Sequence, residues 1–146
     1  MYGNYERTLD EKNRIVVPVK FREELGNNFF ITFGLDNSLT LRSQEEFNKL
    51  TKKLAENNML DKNMRQFNRF ILSNTEEINL DRSGRFVIPT RFLERAAIKK
   101  DIIFIGVGNV SEIFAKEIYE QDIKSIDETQ EFDNLAQLLF ESGAKL

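Results

Sequence analysis

The sequence predicts a mixed α+β fold in which two pseudo-symmetric halves of one chain cover each other as a β-barrel, with helices between and after them. Three observations lead there. First, Leu9-Asp10-Glu11-Lys12-Asn13-Arg14-Ile15-Val16-Val17-Pro18 returns as Leu80-Asp81-Arg82-Ser83-Gly84-Arg85-Phe86-Val87-Ile88-Pro89, with Leu, Asp, Arg and Pro at the same spacing. Second, both copies lie among short β-branched and aromatic runs of strand type. Third, a copy of roughly 45 residues is too small to bury much apolar surface alone, so two are expected to share a core.

The elements follow in order. Tyr5 to Leu9 reads as a strand, Asp10 to Asn13 as a turn, and Ile15-Val16-Val17 as a second strand. Asn13 tolerates the left-handed conformation such turns need, and Gly84 takes the equivalent place at no steric cost. Pro18 suits the first turn of a helix from Val19 to Leu25, stopped by Gly26. Phe29 to Phe33 reads as a buried strand, Gly34-Leu35-Asp36-Asn37 as a turn, and Leu39-Thr40-Leu41 as a closing strand. The second copy repeats this with a helix from Thr90 to Ala97, a strand from Ile102 to Ile105, a turn at Gly106-Val107-Gly108-Asn109 and a strand at Glu112-Ile113-Phe114.

Between the copies, Ser43 with Glu46 forms a capping box before a helix that places Phe47, Leu50 and Leu54 on one face. Asn57-Asn58 interrupts the pattern, and Asp61 caps a second helix carrying Met64, Phe67 and Ile71, ending near Ser73-Asn74. Ile118, Tyr119, Ile123 and Ile126 predict a further helix; Phe132, Leu135, Ala136, Leu139 and Phe140 predict another, with Gly143 near its end. The expected division is a first repeat over 5–47, a helical linker over 48–75, a second repeat over 76–119 and a helical tail over 120–146.

Composition removes several function classes. The chain has no Cys and no His, which excludes disulfides, thiolate chemistry, Ser-His-Asp systems and imidazole metal sites. No apolar run approaches the ~20 residues that span a bilayer, and Met1 to Arg7 lacks the apolar core of a secretory signal. The expected location is the cytoplasm. The glycines near Gly34 and Gly106 precede no Gly-Lys-Ser/Thr and make no phosphate-binding P-loop. The carboxylates pair with no nucleophile or metal spacing, so no enzyme, no cofactor and no small-molecule substrate are expected.

The net charge of −3 hides an uneven distribution. From Tyr5 to Arg22 the bases Arg7, Lys12, Arg14, Lys20 and Arg22 outweigh Glu6, Asp10 and Glu11. From Asp81 to Arg95, Arg82, Arg85, Arg91 and Arg95 outweigh Asp81 and Glu94, whereas the tail is acidic. Both copies are locally basic, as a nucleic-acid surface is.

In each turn the aspartate can accept backbone N–H bonds and hold its arginine by a charge-assisted pair. Asp10 and Asp81 are the orienting residues; Arg14 and Arg85 would project with their forks pre-set for phosphate or the O6/N7 edge of guanine. Lys12, Asn13, Arg82, Ser83 and Gly84 complete the two loops, with Lys12, Arg82 and Ser83 placed to add phosphate contacts. A single Asp-x-x-x-Arg is usually a surface ion pair worth roughly 0–1 kcal/mol. Two in matching turns, each followed by an apolar run and Pro, point to shared function.

On Leu9-Asp10-Glu11-Lys12-Asn13-Arg14 with Val17-Pro18 and Lys20-Phe21-Arg22, and on Leu80 to Arg85 with Ile88-Pro89, the chain resembles the MraZ family of bacterial transcriptional regulators. Gly34-Leu35-Asp36 and Ile105-Gly106-Val107-Gly108-Asn109 extend the resemblance over nearly the whole chain. It implies two SpoVT/AbrB-like swapped-hairpin units, paired loops facing double-stranded DNA, and a ring-shaped homo-oligomer. It also implies binding to short direct repeats in the promoter of the division and cell-wall gene cluster, in the nucleoid and without a membrane. Asn13 stands where the family pattern has Gly, Glu11 weakens the first loop's positive field, and the tail from Ser125 onward is the least family-like part. The alternative is a protein-interaction module of the same fold, as in antitoxin-like proteins.

Overall fold

A computed structural model describes residues 1–123 and 129–145 of the chain. They fall into two units, Met1–Lys116 and Glu117–Leu146. The first unit begins with β1 (Asn4–Thr8), β2 (Arg14–Val16), α1 (Val19–Leu25), β3 (Asn28–Phe33) and β4 (Leu39–Ser43). The linker helices α2 (Gln44–Glu56) and α3 (Lys62–Ser73) follow. Then β5 (Thr75–Asn79), β6 (Arg85–Val87), α4 (Thr90–Arg95), β7 (Asp101–Gly106) and β8 (Ser111–Ala115) repeat the first series.

The strands pair across the repeats. β1 pairs with β7, β5 with β3, and β4 with β8, giving a six-stranded antiparallel sheet in the order β1-β7-β8-β4-β3-β5. The first strand of each repeat therefore lies against the third strand of the other. β2 and β6 form a separate two-stranded ribbon.

The predicted closed barrel is not formed: the sheet is open, with β1 and β5 as its edges. After Leu9 and after Leu80 the chain turns away from the sheet, and β2 and β6 pair with each other. Among the described residues no strand is left to bridge β1 to β5. The open edges are short and charged, Glu6 and Arg7 on β1 and Glu76 and Glu77 on β5, which discourages pairing with a further chain.

The core joins ribbon, sheet and short helices. Ile15 and Phe86 are the central, inward residues of the ribbon, and Phe86 meets Phe29 of β3 edge-to-face at 5.6 Å. Phe21 of α1 packs edge-on against Tyr5 and Phe104, and Phe92 of α4 against Phe33. Pro18 and Pro89 sit just before the two helices in extended conformation, fixing the entry without a side-chain cap.

The linker behaves as a capped pair. Ser43 Oγ accepts the Glu46 amide at 3.2 Å, and the Glu46 carboxylate binds Lys49. Phe47 stacks on Phe30 with centroids 4.0 Å apart. Asp61 caps α3 by accepting the Asn63 amide. Phe67 of α3 is 45% exposed.

The predicted helix after the second repeat is three residues, α5 (Lys116–Ile118), starting at the unit boundary and running into a π-helical turn over Tyr119–Ile123. Its expected continuation through Ile126 lies outside the described residues. A last helix, α6 (Thr129–Glu141), carries Leu135 and Leu139 and ends before Gly143, whose φ is +90°.

Candidate nucleic-acid interface

Each repeat builds the same turn from its own aspartate. Asp10 Oδ1 accepts the amides of Lys12 at 2.9 Å and Arg14 at 2.8 Å, while Oδ2 accepts Nε of Arg14 at 2.6 Å. In the second copy Asp81 Oδ1 accepts the amides of Ser83 and Arg85, both at 2.9 Å, and Oδ2 accepts Nε of Arg85 at 2.9 Å. Backbone bonds close both loops: the Asp10 amide donates to Arg14 O and the Asp81 amide to Arg85 O. Asn13 and Gly84 sit at φ +58° and +74°, the left-handed conformation that lets the chain reverse here.

The two turns are tied to one another. The Val17 amide donates to Gly84 O and the Ile88 amide to Asn13 O, both at 3.0 Å. Between these bonds the ribbon pairs Arg14 with Val87, Ile15 with Phe86 and Val16 with Arg85. Both arginines are therefore brought to one ribbon face, on a diagonal, each paired with its own aspartate. Each guanidinium gives its Nε to its carboxylate. Among the described residues the Nη groups donate to no protein acceptor.

The side chains of both pairs are 29–38% exposed. At such exposure the pairs contribute little stability; they hold the arginines in position. Lys12, Asn13, Arg82 and Ser83 are exposed at the loop tips, and Gly84 is buried.

Gly84 is buried because Arg22 of α1 lies against it. A Cβ built there would collide with Nη1 and Cζ of Arg22, whose Nε is buried without a partner among the described residues. Arg22 thus adds a third guanidinium beside the turns, from the other repeat's helix. The sequence carries a trace of it: where the first copy has Arg22 the second has Leu93, and where the second has Gly84 the first has Asn13. Asn13→Gly is expected to change stability by less than about 1 kcal/mol, since both residues accept this backbone conformation. Gly84→Asn keeps that conformation but evicts Arg22, so it should destabilise more than Asn13→Gly; paired thermal melts of the two variants check the asymmetry.

The amides of Arg14 and Arg85 are the largest cause holding Asp10 and Asp81 below the ordinary carboxylate value, against a smaller opposing effect of desolvation. The arginine side chains and the amides of Lys12 and Ser83 lower them further. A carboxyl whose folded pKa is depressed stabilises the turn above its unfolded pKa and loses that contribution as pH falls through the folded value. The turns should therefore stay intact down to the ordinary aspartate range and loosen below it. The Lys12 and Ser83 amide resonances, followed through an acid titration, should report midpoints below the reference value of 3.8.

Among the described residues no helix is long and apolar enough to cross a membrane, and no group of three or more acidic side chains could hold a metal ion.

The family model described as "MraZ protein, putative antitoxin-like" matches the chain twice, over residues 1–70 and 71–140. A protein of Mycoplasma mobile named "Transcriptional regulator MraZ" is 44% identical over the full length of both chains. Relatives with the same name in Mycoplasmopsis pulmonis and Caldanaerobacter subterraneus subsp. tengcongensis are each 42% identical. They cover 99% and 95% of this chain and 98% and 96% of their own. With both repeats matched and identity sustained from end to end, the chain belongs to the MraZ family.

Proposed function

We propose that this protein is a sequence-specific DNA-binding transcriptional regulator whose contact surface is the pair of Asp–Arg turns with the ribbon between them. The observation that carries this is the duplicated geometry: two guanidinium groups on one exposed ribbon face, each held by its own carboxylate and each with Nη donors that meet no acceptor among the described residues. In this reading Arg14 and Arg85 read guanine edges or anchor phosphates. Lys12, Arg82 and Ser83 add backbone contacts, Asn13 and Gly84 shape the loops, and Asp10 and Asp81 orient the arginines. Arg22 adds a further cation. The names of the relatives support a role in transcription.

The repeats at 5–47 and 76–119 act as two exchanged arms, a swapped-hairpin arrangement of SpoVT/AbrB type, joined by 48–75 and followed by the tail at 120–146. The target is a set of short direct repeats in the promoter of the division and cell-wall gene cluster, in the nucleoid. One loop pair meets few phosphates. A ring of subunits places successive pairs on successive repeats and raises the effective concentration of each later contact. Exposed Met59, Leu60, Phe70 and Leu72 in the linker offer apolar surface for that assembly. The same surface supports a second reading, an antitoxin-like module that holds a protein partner.

A mobility-shift assay against DNA upstream of the protein's own gene separates the two. A shift whose logarithmic affinity falls linearly with log salt, at about −0.9 per phosphate contacted, is the expected result. A flat salt dependence, or no shift together with one stoichiometric protein partner, would remove the DNA reading.

A further inference from the structure

The ribbon face between the two arginines is apolar. Val16 and Val87 alternate with the inward Ile15 and Phe86, so they point the same way as Arg14 and Arg85. They are 37% and 52% exposed. Solvent-facing positions of an antiparallel pair are usually polar. A lone exposed valine needs no explanation. Here the same residue stands at the equivalent position of both repeats, and each is the direct cross-strand neighbour of an arginine: Val16 of Arg85, Val87 of Arg14. The four form a square with arginines on one diagonal and valines on the other.

The major groove admits a two-stranded ribbon, and apolar side chains recognise the thymine 5-methyl group there. Flanking guanidiniums favour a polyanionic occupant over an apolar protein face. Resting on the DNA-binding reading above, we propose that Val16 and Val87 are specificity residues that contact thymine methyl groups beside the guanines or phosphates met by Arg85 and Arg14. Cross-strand neighbours lie about 4.5–5.5 Å apart, and stacked bases about 3.4 Å. Each thymine should therefore fall within two base pairs of an arginine contact.

The test uses the full chain and a duplex that the wild type selects from a random pool, resynthesised with deoxyuridine replacing thymidine one position at a time. This deletes only the methyl group. At one or two positions wild-type affinity should fall roughly fourfold per methyl removed. Val16→Ala and Val87→Ala should bind the thymine duplex about as weakly as wild type binds the matching uracil duplex, and each should be blind to uracil at its own position. Both valines are exposed, so circular dichroism melts of the variants should overlay the wild type. Wild-type affinity indifferent to every uracil, or losses equal in wild type and variants, would overturn the assignment. If Arg14 and Arg85 are still required then, DNA binding stands and the valine contact alone has failed. If the wild type enriches no duplex, both fail. Valine changes that spare DNA binding but dissolve a stoichiometric protein complex would assign the face to that protein instead.

Discussion

Arg14→Ala and Arg85→Ala should each weaken operator binding roughly tenfold to a hundredfold, since one bidentate arginine–guanine pair discriminates by ~1–3 kcal/mol. The double variant should fall to the level of non-specific binding. Its folding should barely change. The ion pairs at 2.6 and 2.9 Å are about one-third exposed, and pairs so exposed contribute little to stability. Equilibrium binding and thermal melting on the same preparations check both halves. Full-strength binding by the double variant would end the proposed role of the turns. Loss of binding that tracked loss of fold would show that the arginines are structural. Asp10→Asn with Asp81→Asn gives a milder contrast: the guanidiniums keep their charge but lose their tether, so affinity should fall less than with alanine at the arginines.

The largest stability effect should come from Phe86→Ala. Phe86 is 4% exposed, and its ring meets Phe29 at 88° across the layer between ribbon and sheet. Emptying that site should cost about 3–5 kcal/mol, a large part of the ~5–15 kcal/mol that holds a typical domain together. A chemical denaturation curve should shift to lower midpoint, with Phe86→Leu recovering most of the loss. An unchanged midpoint would mean that the ribbon is not packed as described. The contrast with Val87, the next residue along the strand and half exposed, is the period of two made measurable.

Most elements were legible in the chain itself. β-branched and aromatic runs marked the strands to within about two residues, and Pro18, Ser43 and Asp61 marked helix starts. The turn chemistry was legible because Asp and Arg four residues apart can satisfy each other locally. What local pattern could not carry was partner choice. β3 could have paired with the first strand of either copy; the sheet instead pairs it with β5 and leaves β1 to β7. Either pairing leaves β1 and β5 at the edges of the sheet; the barrel expectation failed because β2 and β6 leave the sheet to pair with each other. The place of Arg22 beside the turns is not legible locally, because its contact, Gly84, lies in the other repeat. Val16 and Val87 cannot be told from the rest of their apolar runs by sequence, since alternation over three residues cannot say which one faces out.

The pairing of Thr8 with Asp101, 93 positions later, has a consequence for synthesis. At about 5–20 residues per second, the first strand leaves the ribosome roughly five to twenty seconds before its partner exists. Neither repeat can complete its own sheet in that interval. A nascent chain stalled within the linker helices should remain open to protease in a pulse-chase experiment, and protection should arrive all at once when β7 emerges.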